Sequence, residues 1–63
     1  MLKPGTRVVV RMPEDAHGFQ VGAIANARYD EDGDPIPEGK EAVEFENGQG
    51  VWAADPSDIL ALD

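Results

Sequence analysis

A small all-β domain, a five-stranded barrel with a single helical turn ahead of its last strand, is the fold this sequence predicts. Three observations lead there. Short apolar–polar alternations with a period of two recur along the chain. Gly, Pro, Asn and Asp punctuate the intervals between them. No stretch carries the longer apolar period of a helix. The 63 residues make one domain, with exposed loops expected near 13–20 and 30–40. A chain this short buries only about 60% of the surface its unfolded form exposes, so the apolar core has little to spare. Without cysteine, neither disulfides nor a thiolate metal site can reinforce it.

The strands follow in order. Pro4-Gly5 is a turn, and residues 6–12 alternate, with Val8, Val10 and Met12 on one face and Arg7, Val9 and Arg11 on the other. Pro13 lacks a backbone donor and ends the pairing. Residues 14–20 read as a loop and 21–29 as a second strand, in which Gly22 marks a bend or a close backbone approach. Residues 30–40, with two prolines, two glycines and five acids, form a long exposed loop. Residues 41–46 resume alternation, Val43 and Phe45 facing one way and Ala42, Glu44 and Glu46 the other. Asn47-Gly48 signals a hairpin because both residues tolerate positive φ. Residues 51–53 make a fourth strand, Asp55 caps a helical turn that begins with Pro56, and 59–62 close the chain. The expected core is Val8, Val10, Ile24, Val43 and Phe45, inside one closed sheet. Closure would remove edges on which short strands aggregate.

This order of motifs resembles the Src-homology-3-like small barrels of bacteria. Pro4-Gly5-Thr6-Arg7-Val8-Val9-Val10 looks like their opening strand, Gly22-Ala23-Ile24 like the start of their second, Val43-Glu44-Phe45 with Asn47-Gly48 like their third strand and hairpin, and Asp58-Ile59-Leu60-Ala61-Leu62 like their closing turn and strand. The nearest pattern is that of photosystem I reaction-centre subunit IV, echoed by Arg11, Pro13-Glu14, Phe19 and Val21-Gly22-Ala23-Ile24-Ala25. The resemblance implies a fold and not that family's role. Its barrels look basic where they dock an acidic electron carrier, whereas this chain has a net charge of −8.

That charge is unevenly spread. Residues 1–13 hold Lys3, Arg7 and Arg11 and no acid, while Arg28 and Lys40 stand against all thirteen acids in the remainder. Such a chain is repelled by nucleic-acid phosphates and anionic lipid, so direct binding of DNA, RNA or membrane is not expected, and a protein partner with a basic surface is. Acidity that simply keeps a small protein soluble explains the same composition. No apolar run approaches a signal segment or a membrane span, and a cytoplasmic protein, or one assembled in a phage particle, is expected.

Catalysis has little to work with. The side-chain hydroxyls are Thr6, Ser57 and Tyr29, the single histidine, His17, falls in a polar loop, and a barrel this small fills its interior with its own side chains. No enzyme activity and no cofactor are expected. Asp30, Asp32 and Asp34 alternate, and Glu41 falls twelve residues along, the spacing of a calcium loop. Pro35 occupies the sixth position, which needs positive φ, so no metal is expected there. The candidate partner-binding residues are the aromatics Phe19, Tyr29 and Trp52 and the acids Asp30, Asp32, Asp34, Glu44 and Glu46. Trp52 points outward if Val51 points inward; otherwise its ring covers the barrel end. Glu44 and Glu46 face Arg7 and Arg11 across the sheet or form an acidic stripe. The function expected is a non-catalytic protein-interaction module, an accessory or structural subunit of a larger bacterial or phage complex, with homo-oligomers possible. The alternative is an acidic inhibitor that imitates nucleic acid and blocks a basic groove.

Overall fold

The computed structural model describes residues 2–12 and 18–62. It is all-β: five antiparallel strands, β1 (Arg7–Arg11), β2 (Phe19–Ile24), β3 (Glu41–Phe45), β4 (Gly50–Ala54) and β5 (Ile59–Ala61), with one 3₁₀ turn (Pro56–Asp58) before the last. They form a single sheet in the order β4-β3-β2-β1-β5. Among the described residues no helix is long and apolar enough to cross a membrane.

The sheet wraps around the expected core. Val8 and Val43 are wholly buried, and Val10, Ile24 and Phe45 nearly so. Leu2, Met12 and Ile59 pack against them from the periphery. Each such buried side chain contributes about 1.5–3 kcal/mol relative to exposure. Ala42, expected outside with Glu44, is buried too, because the chain leaving β2 runs alongside it and the Ala25 N–H donates to the Ala42 carbonyl at 2.8 Å.

Wrapping depends on β2, which serves two partners. Residues from Phe19 to Ala23 pair with β1, and Gly22 to Ile24 pair with β3. The two ladders overlap at Gly22 and Ala23, and Gly22 lies opposite both Val8 and Phe45 on the core face. A Cβ there would stand 2.5 Å from the Glu44 carbonyl oxygen and 3.0 Å from Val43 Cγ1. Only glycine lets the β3 backbone come this close.

Several boundaries differ from the sequence expectation. β2 begins at Phe19, inside the stretch read as a loop, because Phe19 and Gln20 continue the β1 ladder opposite Arg11 and Val10. It ends at Ile24, and Tyr29 makes only an isolated bridge with Pro35. The β3–β4 turn is a four-residue connection, residues 46–49, closed by the Phe45–Gly50 pair. Positive φ falls on Gly48 and Gly50 and not on Asn47, whose side chain instead accepts from the Gln49 N–H at 3.0 Å and donates to Gln20 at 2.9 Å. Among the described residues β4 and β5 do not pair, so the sheet is rolled but its two edge strands are separated by a seam. The 3₁₀ turn bridges that seam.

Replacing Gly22 by alanine or valine should destabilise the domain by about 1–3 kcal/mol, the usual cost of overpacking, through forced displacement of β3. Chemical denaturation of the variant beside Gly33→Ala, which meets open space but forces a positive φ on alanine, separates crowding from backbone strain.

Candidate functional site

The seam is also the candidate site. β3 donates and accepts toward β4 through Glu41, Val43 and Phe45, while the Ala42 carbonyl and the Glu46 N–H turn toward β2. By the same alternation Trp52 and Ala54 bond to β3, and Val51 and Ala53 present their N–H and C=O groups to the free edge. The Val51 carbonyl is taken by the Glu31 N–H at 2.7 Å. Ala53, fully at the surface, has no backbone partner on that side among the described residues.

Trp52 stands opposite Val43 and therefore on the core face, which reverses the orientation argued from an inward Val51. Because β4 is an edge strand, the indole reaches the rim. One edge meets Phe45 in a T-shaped contact with centroids 6.2 Å apart, Nε1 donates to the Gln49 carbonyl at 3.1 Å, and 43% of the residue remains exposed. It covers the core and offers a face to solvent at once. On one side of it a groove of roughly 450 Å³ runs along the seam, floored by Val10, Met12, Phe45 and Ala54 and rimmed by Arg11 and Lys40. On the other side a smaller hollow of about 320 Å³ is lined by Asp30, Glu31, Asp32 and Val51. Ala53 borders both.

Two ion pairs stitch the groove. Arg11 binds Asp58 Oδ1 through Nη2 at 2.7 Å and Nε at 3.2 Å, and Lys40 Nζ lies 3.2 Å from Asp55 Oδ2. Such exposed pairs are worth about 0.2–1 kcal/mol each, so they shape the rim more than they stabilise the fold. The expected facing of Arg11 by Glu44 or Glu46 does not occur, since Asp58 at the foot of β5 is nearer; Arg7 does pair with Glu46, at 3.3 Å. Asp55 caps the 3₁₀ turn as the sequence implies. Its Oδ1 accepts from the Ser57 N–H at 3.0 Å and the Ser57 hydroxyl at 2.8 Å. Those two bonds, then Lys40, lower its pKa from 3.8 to about 2.

The remaining candidates are dispersed. Tyr29 and Phe19 are each 60% exposed, on different parts of the surface, Phe19 on the outer face opposite Arg11. Glu44 also lies on the outer face, opposite Val51. The carboxylates of Asp30, Asp32 and Asp34 do converge, within 4.8 Å of one another. The turn that gathers them is made at Gly33, with φ of 86°, and by Asp30 Oδ1, which accepts from the N–H groups of Asp32 and Asp34 at 2.9 Å each. Glu41, the twelfth residue of the calcium spacing, lies in β3 opposite Ala54 and is not in the group. Sequence reasoning missed Ala53 and the groove floor altogether: their significance comes from edge position and from residues distant in the chain. The lone His17, with Pro13 and Glu14, lies outside the described residues.

Comparison with protein-family models, with curated proteins and with solved structures finds no match to this chain.

The Asp55 contribution to stability is present above pH 3.8, where its carboxylate is ionised in both folded and unfolded chains, and is lost as pH falls through about 2. An NMR titration should place its folded midpoint near the lower value, and Ser57→Ala should move it upward. An Asp55 midpoint that stays put in that variant would refute the hydroxyl's share of the shift, since alanine keeps the backbone N–H that also caps Asp55.

Proposed function

We propose that this chain is a non-catalytic protein-interaction module that takes an extended segment of its partner along the free edge of β4, across Trp52. The observation that carries the reading is the placement of Ala53. Its unpaired N–H and C=O face outward at the point where an apolar groove and an acidic hollow meet. An added strand would bond to that peptide unit and set one apolar side chain in the seam groove. A lysine or arginine farther along would sit near Asp30, Glu31 and Asp32. Main-chain bonds give such strand addition its affinity and flanking pockets its specificity. The partner is thus basic, in keeping with the charge of the whole chain. The strand order and the 3₁₀ turn before β5 support placing the domain among Src-homology-3-like small barrels, whose photosystem I subunit IV pattern the sequence resembles. A role as an accessory or structural subunit of a bacterial or phage assembly, in the cytoplasm or the particle, follows that reading.

The test is affinity capture from bacterial lysate at low and high salt with three forms of the protein. The unsubstituted chain should retain a partner at moderate salt. Trp52→Ala should weaken capture by about 2 kcal/mol or more, as expected of a central aromatic anchor. Ala53→Pro removes only an outward N–H on an edge strand, where proline is tolerated, and should abolish capture while circular dichroism stays unchanged. A partner displaced by DNA and lost steeply with salt would favour the nucleic-acid mimic instead.

A further inference from the structure

The outer face of β5, β1 and β2 is apolar for most of its extent. An antiparallel sheet with one solvated side carries polar residues there. Val8 and Val10 point into the core, so Arg7, Val9 and Arg11 point out, and the register carries the outer rows across the neighbouring strands. One row is Leu60, Val9 and Val21; the next is Leu62, Arg7 and Ala23, the Leu62 N–H donating to Arg7 at 2.9 Å; the third pairs Arg11 with Phe19. Six of these eight positions are apolar, the other two are arginines, and none of the chain's thirteen acids falls among them. Leu60 is 65% exposed and Leu62 49%.

The chain carries the complement of this face elsewhere. Residues 29–35 fold back on themselves through the Tyr29–Pro35 bridge and the Asp30 bonds, giving a braced knob that presents Asp32, Asp34 and the exposed Tyr29 ring. Acid and aromatic on the knob match arginine and aliphatic on the face. Arg7 and Arg11 each keep guanidinium N–H groups beyond those given to Glu46 and Asp58. We propose that the outer face of β5-β1-β2 docks a second copy of this chain through its acidic 29–35 knob. The contact is head-to-tail, so each copy retains one free knob and one free face, and association continues to rings or filaments rather than stopping at a two-fold dimer. It shares Arg11 with the rim of the seam groove and Asp32 with the acidic hollow but uses neither Ala53 nor Trp52, so Leu60→Asp, at a residue that lines neither, separates it from the partner site proposed above.

Sedimentation velocity from micromolar to millimolar concentration tests it, with circular dichroism confirming that each variant folds. The unsubstituted chain should grow in mass with concentration, and added salt should weaken that growth. Leu60→Asp, on the face, and the double change Asp32→Lys with Asp34→Lys, on the knob, should each weaken self-association by roughly tenfold or more. The knob substitutions keep the backbone N–H groups that Asp30 binds. Mixed in equal amounts, the two variants should form a one-to-one complex that grows no further, because one intact face and one intact knob remain. A chain that stays monomeric throughout overturns the proposal. So does a knob variant that associates as strongly as the unsubstituted protein, which would mean face-to-face apolar contact, and so does association that salt leaves unchanged.

Discussion

The approach of two backbones at Gly22 is the constraint on which the domain rests. β2 holds β1 with its first residues and β3 with its last, and the sheet curves around a core drawn from both, Val8 and Val10 from β1 and Val43 and Phe45 from β3. The missing side chain at Gly22 lets the Glu44 carbonyl occupy the space a Cβ would claim. The curve carries β3 and β4 around so that Val43 and Phe45 come down on Val8 and Val10. It also swings β4 toward β5 without bringing them into hydrogen-bonding contact. Core and seam are two results of one curvature.

The seam gives the molecule its chemistry. A fully hydrogen-bonded barrel of this size would have no groove, since its interior is filled by side chains. Here the two edge strands stay apart, Trp52 leans over the opening against Phe45, and the ion pairs of Arg11 and Lys40 span its rim. Charge is segregated around the same frame. Acids gather on the 30–38 loop and beside β4, while the outer rows of β5, β1 and β2 hold arginine and apolar side chains. A net charge of −8 therefore describes no single face of this protein.

How much of this was legible in the chain depends on how local the signal is. Alternation in residues 7–11 and 41–45 and the glycine at 22 are local, and they pointed to the right core residues and the right bend. Asp55-Pro56 named its capped turn because capping is settled within three residues. The start of β2 was hidden because Phe19 and Gln20 are strand only by virtue of Arg11 and Val10 opposite them. The face of Trp52 stayed open for a related reason: three residues alternate equally well in either sense, and the sense is set by Val43 across the ladder. Arg11 found Asp58, forty-seven residues away, and no spacing rule reaches so far. Of the site, the acids were visible as a punctuated loop. The groove was not, because its floor is drawn from β1, β3 and β4 together. The arginine-and-aliphatic face had been in plain view as Val9 and Val21, outward residues that break polar alternation.

Pairing of β5 with β1 joins Val8 to Ala61 and Val10 to Ile59, positions at opposite ends of the sequence. Chain entropy must be surrendered before so distant a contact repays it, and folds dominated by such contacts form in milliseconds to seconds rather than microseconds. The β3–β4 hairpin, by contrast, closes over four residues. Assembly of this domain accordingly runs from its middle outward. The shortest strand, which sets Ile59 against the margin of the core, is therefore the costliest in chain entropy to bring into place.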